Sequence, residues 1–298
     1  MKNMSKIVII GNNIIARSIA LFLQDIHHID AKDIRLTDFF GNDKITLEND
    51  TSIELIASSK YDFSETEYIF ITDYAEWLQC KRIKGTEQVI GIFDPNHSEK
   101  KIPMIRDVAA EILLEFADNL ELTCLSSFIN KSVSNFGDTA IQKLLSETKD
   151  QFFIANGIPK IFDKSIAGNI HPTTGKCKFN EMTLMEKSIT EELDRLTCRT
   201  QVLCSRVPVC IGDMIYISAE SRHKNILKFI KQKFVESDRF VLCDGDDRYI
   251  SPKEAKGNNN IYINRLILQE QNHFICCLTY DNIRQTALLC LKQIDFSK

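Results

Sequence analysis

The chain has 298 residues, 44% of them hydrophobic and 26% charged, with a formal net charge of −4. That length accommodates two ordinary domains, and the balance is that of a globular protein, which excludes a disordered or low-complexity chain. With no basic excess, neither nucleic acid nor an anionic membrane surface is an expected partner.

At the N-terminus, Lys2 and Lys6 precede an apolar run, Ile7 to Ile10, that is too short for a signal-peptide core. No stretch approaches the ~18–20 apolar residues of a membrane span, so a cytoplasmic protein is expected. The ten cysteines lack metal-ligand spacing: Cys276 and Cys277 are adjacent, Cys198 and Cys204 are six apart, and there is no CxxC. Most lie in apolar runs, where a free cysteine packs as a small hydrophobe. No metal is expected.

In chain order, Lys6-Ile-Val-Ile-Ile-Gly11 predicts a short buried strand, and Ile15, Ile19, Phe22 and Leu23 repeat at helical spacing after it. Further strands are predicted over 34–37, 68–72 and 88–93. Strands alternating with helical stretches argue for a parallel sheet with crossover helices in the first ~100 residues. The cluster Asp94-Pro-Asn-His-Ser98 predicts a loop near a domain edge.

Beyond that loop, 107–116 predicts a helix, 120–129 a strand, and 139–153 a helix capped by Asp138. A charged amphipathic helix is expected over 185–196, strands over 201–211, 214–220, 261–267 and 273–280, and helices over 221–234 and 282–294. Within 205–220, a buried strand Val207 to Ile211 is expected, with Arg206 at its start and Asp213 just past Gly212. This mixture predicts an α+β domain with a largely antiparallel sheet.

The stretch Arg206-Val-Pro-Val-Cys-Ile-Gly-Asp213 resembles the Arg-Val-Pro-Val-x-x-Gly-His signature of the aspartate-semialdehyde dehydrogenase family. Other pieces follow in the same order. Ser134-Asn-Phe-Gly137 is similar to a Ser-Gly-Ala-Gly turn, and Asn169-Ile-His-Pro172 to an Asn-x-x-Pro turn. Lys187 and Glu191 match a charged helix motif, Ile261-Tyr-Ile-Asn-Arg265 resembles a Val-Gly-Arg strand, and Asp281-Asn-Ile-Arg284 resembles a C-terminal helix motif. The resemblance implies a Rossmann-like α/β domain, 1–103 with 281–298, and an α+β domain of the glyceraldehyde-phosphate-dehydrogenase kind, 104–280. It also implies a homodimer formed through the sheet of the second domain, and a family reaction of amino-acid biosynthesis. That reaction is a reductive dephosphorylation of an acyl phosphate with NADP or NAD.

The residues that the resemblance assigns to this chemistry are altered. The nucleophilic cysteine corresponds to Ile105, the acid/base histidine to Asp213, and a substrate-orienting glutamine to Lys131. In the phosphate loop only Gly11 matches; Asn12, Asn13, Ile14 and Arg17 stand where small residues are expected. Asp38 fits a turn better than a ribose ligand. Arg206, Lys187 and Lys131 are candidate anion ligands, and an Asp213–Arg206 ion pair is the structural expectation for the motif. The six histidines, His27, His28, His97, His171, His223 and His273, read as structural or solvated.

The expectation is therefore a chain similar to Usg-type relatives: fold and dimer surface kept, no cofactor bound, and association with itself or with a catalytic paralogue. Two alternatives stay open. One is an NAD(P)-dependent semialdehyde dehydrogenase with a rearranged site around Cys124, and the other an anion-sensing protein.

Overall fold

The computed structural model describes residues 6–41, 43–64, 66–78, 80, 88–92, 105–152, 162, 164–178, 180–243, 249–270 and 272–294. Pro103, Met104, His97 and the predicted loop at 94–98 lie outside them. The chain divides into two compact units, residues 1–105 with 286–298, and residues 106–285.

The first unit is built on β1 (Ile7–Ile10), α1 (Ile14–Asp25), β2 (Ile34–Asp38), β3 (Asp43–Thr46), β4 (Ser52–Ala57), β5 (Tyr68–Ile71), the short α2 (Tyr74–Trp77) and β6 (Gln88–Gly91). The sheet order is β3-β4-β2-β1-β5-β6, parallel throughout except for the antiparallel edge pair β3 and β4. Strand β1 is buried at every position, and its side chains split by the period of two. Ile7 and Ile9 pack with Ile19, Phe22 and Leu23 of α1, and with Ala287 and Cys290. Val8 and Ile10 pack on the other face with Tyr61, Phe63 and Ile69. Covering both faces is what an essentially parallel sheet requires.

The second unit runs α3 (Val108–Ala117), β7 (Leu122–Lys131), α4 (Asp138–Phe152), α5 (Leu184–Leu193), β8 (Arg199–Arg206), β9 (Asp213–Ser221), α6 (Ile226–Val235), β10 (Phe240–Leu242), α7 (Pro252–Ala255), β11 (Ile261–Leu268) and β12 (His273–Tyr280). The final helix, α8 (Asn282–Leu291), begins in this unit. Sheet order is β10-β11-β12-β9-β7-β8, with parallel pairs at the two edges and antiparallel pairs between. Alternation is clear on β9, whose odd positions are buried and even positions more exposed. Leu125, Ile129, Ile215, Ile217, Phe274 and Leu278 enter one core with Phe116 of α3, Ile189 of α5 and Phe234 of α6. Phe116 stacks on Phe234 at 5.4 Å between ring centroids. The opposite face, with Phe128, Leu203 and Tyr216, is partly exposed.

Two expectations are corrected. The strand beside Arg206 precedes it: β8 ends at Arg206, and 207–211 is irregular. Pro208 has no N–H to give a ladder, and Gly212 turns the chain at φ 101°. A Cβ at Gly212 would meet the Pro252 carbonyl oxygen at 2.7 Å, so glycine is required there twice over. Strands β3, β4 and β10 are additional to the predicted set. Among the described residues, no helix is long and apolar enough to cross a membrane.

Candidate functional site

In the second unit, β7, β9 and the start of α3 bring Lys131, Asp213 and Asp107 together in the protein interior, the first two fully buried and Asp107 nearly so. Asp107 is the N-cap of α3, its carboxylate accepting from the Ala109 N–H at 2.8 Å. Lys131, at the end of β7, is fully buried, with Nζ 2.8 and 3.1 Å from the two Asp107 oxygens and 3.5 Å from Asp213 Oδ2. Asp213 opens β9 and is equally buried. Its Oδ1 accepts from the Ser132 N–H at 2.9 Å, the Ser132 hydroxyl at 2.9 Å and Asn135 Nδ2 at 2.8 Å.

Electrostatics makes this a single unit. Burial alone would depress the Lys131 ammonium, and Asp107 followed by Asp213 reverse that, so the net shift is upward. Burial raises the Asp213 carboxyl against the pull of Lys131 and the Ser132 and Asn135 donors. Tyr280 lies directly opposite Asp213 across the β9–β12 ladder. Its phenol is held well above the ordinary range by burial and then by the Asp213 and Asp107 charges. Cys204 is buried nearby, and burial pushes its thiol far up. No thiolate forms there near neutral pH.

Asn282, at the start of α8, completes the network. Its Oδ1 accepts from Gly212 N at 2.9 Å and from the Ser132 and Ser134 hydroxyls at 3.2 Å each. Asp281 caps the same helix, accepting from the Ile283 and Arg284 N–H groups at 2.9 and 3.0 Å. Asp107, Asn135, Tyr280 and Asn282 were not singled out from the sequence as site residues. The available signals were an aspartate directly before the apolar helical run at 108, and the places of Asn135 and Asn282 inside the matched Ser134–Gly137 and Asp281–Arg284 motifs.

The expected Asp213–Arg206 pair is replaced by Asp213–Lys131. Lys131 and Arg206 are register partners on β7 and β8, so either was a candidate. Arg206 is instead enclosed by aromatics, its guanidinium 4.1 Å from the centroids of both Phe136 and Phe162. Its Nη1 lies 3.3 Å from His171 Nδ1, and its Nη2 donates to the Thr174 carbonyl at 2.8 Å. Lys187 is exposed on α5, 3.8 Å from Glu191 one turn on. The three candidate cations thus have three separate environments. Cys124 lies half-buried on β7, 3.6 Å from Arg199 Nη2.

In the first unit, Ile105 is buried, its N–H donating to the Gly91 carbonyl at 2.8 Å and its side chain among Ile9, Phe70 and Ile90. At the β1–α1 turn, Gly11 has φ 118°, and a Cβ there would lie 2.3 Å from Thr72 Oγ1. Asn13 caps α1 by accepting from Ala16 N at 3.0 Å, and it donates to the Thr72 carbonyl at 2.8 Å. Arg17 bends back to donate to Asn12 Oδ1 at 3.2 Å. Asp38 accepts from the N–H groups of Phe40 and Gly41, the turn role expected for it.

Beside this loop is Glu76, 2% exposed, whose Oε1 accepts from the Thr37 and Ser58 hydroxyls at 2.6 and 2.7 Å. Burial, outweighing those two bonds and assisted by Asp73 and Asp38, lifts its carboxyl to about 7.

Comparison with known proteins gives a consistent family. Aspartate-semialdehyde dehydrogenases of Rickettsia typhi and Rickettsia conorii are 31% and 30% identical to this chain over 171 residues, 55% of it and 51% of each relative. The chain thus matches about half the length of these curated relatives. A probable aspartate-semialdehyde dehydrogenase from Pseudomonas aeruginosa superimposes with a TM-score of 0.82 at 16% identity, over 97% of this chain and 96% of that one. Aspartate semialdehyde dehydrogenase II from Vibrio cholerae gives 0.80 at 16%, over 96% and 97%. At such identity the likeness is one of fold, a Rossmann-like N-terminal unit and a glyceraldehyde-phosphate-dehydrogenase-like C-terminal unit. Residues 116–285 match the family described as semialdehyde dehydrogenase, dimerisation domain, and the chain belongs to that family.

Proposed function

We propose that this chain is a non-catalytic, homodimeric member of the semialdehyde dehydrogenase family that acts by association. The observation that carries the reading is the buried triad. The positions that the family resemblance assigns to a substrate glutamine and an acid/base histidine hold Lys131 and Asp213, which are 0% exposed and joined to Asp107. A charged pair neutralised inside the protein has neither the exposure nor the spare valence to meet a substrate or relay its proton. Ile105, in the place of the nucleophile, has no group to attack a carbonyl.

The phosphate loop does not fit a dinucleotide. Asn13 occupies the α1 N-terminus, Arg17 is drawn back onto Asn12, and Glu76, Asp38 and Asp73 make the adjoining strand ends acidic. No hydride step is therefore derived for this chain. The enclosure of Arg206 and Lys131 by protein groups also speaks against the anion-sensing alternative. The homodimer reading rests on the matched dimerisation domain and on the half-exposed apolar face of the second sheet.

The test is an NADP- and NAD-linked assay with aspartate semialdehyde and phosphate, run with calorimetric titration of each nucleotide. The expected outcome is no turnover and no binding at millimolar nucleotide. Turnover abolished by Arg206→Ala would overturn the reading.

A further inference from the structure

In the first unit, one hydroxyl stands between two acceptors. Ser58, which opens the short turn after β4, has its Oγ 2.7 Å from the Asp38 carbonyl oxygen and 2.7 Å from Glu76 Oε1. A serine hydroxyl has a single proton to donate. Both separations are therefore hydrogen bonds at once only when the second proton comes from Glu76, with the neutral acid donating to Ser58 Oγ and Ser58 donating to Asp38. An ionised Glu76 has no proton to give. It then accepts from Ser58, and the Asp38 carbonyl loses this donor. Thr37 donates to the same carboxyl oxygen, at 2.6 Å, in either state.

The surroundings put both states within reach of ordinary pH. Asp38 at the end of β2 and Asp73 at the N-cap of α2 act on Glu76 with its own sign of charge, and burial adds to them, so the carboxyl stands at about 7. The Cys80 sulfur is 3.6 Å from the Glu76 carbonyl, and its thiol, pushed up to about 12 by burial, stays protonated. Of the basic side chains on adjoining elements, Lys60 is exposed and Arg17 is held on Asn12. Among the described residues no cation pairs with Glu76.

What the proton reaches is the turn from Asp38 to Gly41. Asp38 is the register partner of Ala57, the residue before Ser58. Gly41 sits so close to that backbone that a Cβ on it would lie 2.1 Å from the Ala57 nitrogen. The turn carries Phe39 and Phe40 into solvent, 42% and 84% exposed.

We infer that Glu76, Ser58 and the Asp38 carbonyl form a proton switch for this turn. With the acid neutral, Ser58 ties the end of β2 to the end of β4. With the acid ionised, that tie is withdrawn and the turn bearing Phe39 and Phe40 loosens. The switch is independent of the association reading above.

The chain's single tryptophan, Trp77, follows Glu76 directly and packs against the core around Tyr61 and Phe63. The test follows Trp77 emission and the Gly41 amide signal in NMR spectra of the full chain from about pH 5 to 9. Both are expected to shift together with a midpoint near 7, and neither in Glu76→Gln, which cannot ionise. In Ser58→Ala, Trp77 should still titrate while the Gly41 signal stays flat. A wild type flat in both signals, or a Glu76→Gln variant that titrates like it, overturns the switch. A Gly41 signal that titrates in Ser58→Ala as it does in the wild type overturns the part given to Ser58. Should Glu76→Gln fail to fold, the Ser58→Ala comparison decides alone, by whether the Gly41 signal parts from that of Trp77.

Discussion

Asp213, at the start of β9, and Glu76, within the short α2, are both buried carboxylates, one in each unit, and they are held by different means. Asp213 has three donors on one oxygen and Lys131 at 3.5 Å from the other. Glu76 has two hydroxyls and no cation among its described partners, with Asp38 and Asp73 acting against its charge. In the first, burial raises the carboxyl while Lys131 and three donors oppose that rise; the second is a proton reservoir near neutrality. A nearby cation counters part of what burial does to a buried acid.

The largest effect that would break this contrast is at Lys131. Lys131→Met leaves Asp107 and Asp213 buried without their cation, and urea denaturation should show a loss of about 3–5 kcal/mol. Adding Asp213→Asn to that change should recover part of the loss, since one orphaned charge is removed with it.

A middle-sized effect sharpens the other side. The folded Glu76 holds its proton up to about pH 7, above an ordinary glutamate. Its contribution to stability is therefore fully present below the unfolded pKa and is lost as pH rises through 7. Thermal midpoints from pH 5 to 8 should fall for the wild type and fall less for Glu76→Gln, which keeps an acceptor for Thr37 and Ser58. Equal slopes would show that the reservoir lies elsewhere.

The smallest effect is at the phosphate loop. Asn13→Ala should cost about 1 kcal/mol through loss of the α1 cap, and it should create no nucleotide binding. A gain of binding in calorimetry would mean that Asn13 alone closes the loop.

The alternation of Ile7 to Ile10 with the helical spacing of Ile15, Ile19 and Phe22 made the first unit legible, and likewise β12 and α8 in the second. What stayed hidden had physical reasons. Strand β3, Asp43-Lys-Ile-Thr46, is an edge strand with a single apolar residue, whereas the apolar signal of its partner β4, Ile53 and Leu55 to Ala57, was present and was missed. The run Val207 to Ile211 looked like a strand, but Pro208 and Gly212 set its backbone. The partner of Asp213 was misassigned because Lys131 and Arg206, 75 residues apart, become neighbours only through the β7–β8 register. Phe136 and Phe162 then enclose Arg206, a contact that no spacing in the chain announces.

The place of β12 and Asn282 has a consequence for the order in which the molecule can be made. Strand β12 lies between β11 and β9, and Asn282 follows it by two residues to bond Ser132, Ser134 and Gly212. A chain emerging from its N-terminus therefore has α3, β7, β8 and β9 ready long before the strand that joins them to β11. Until residue 282 is available, Lys131, Asp107 and Asp213 wait without Tyr280 behind them and without the amide that ties their loops. Closure of the second unit is a late event in synthesis, governed by contacts about 150 residues apart in sequence.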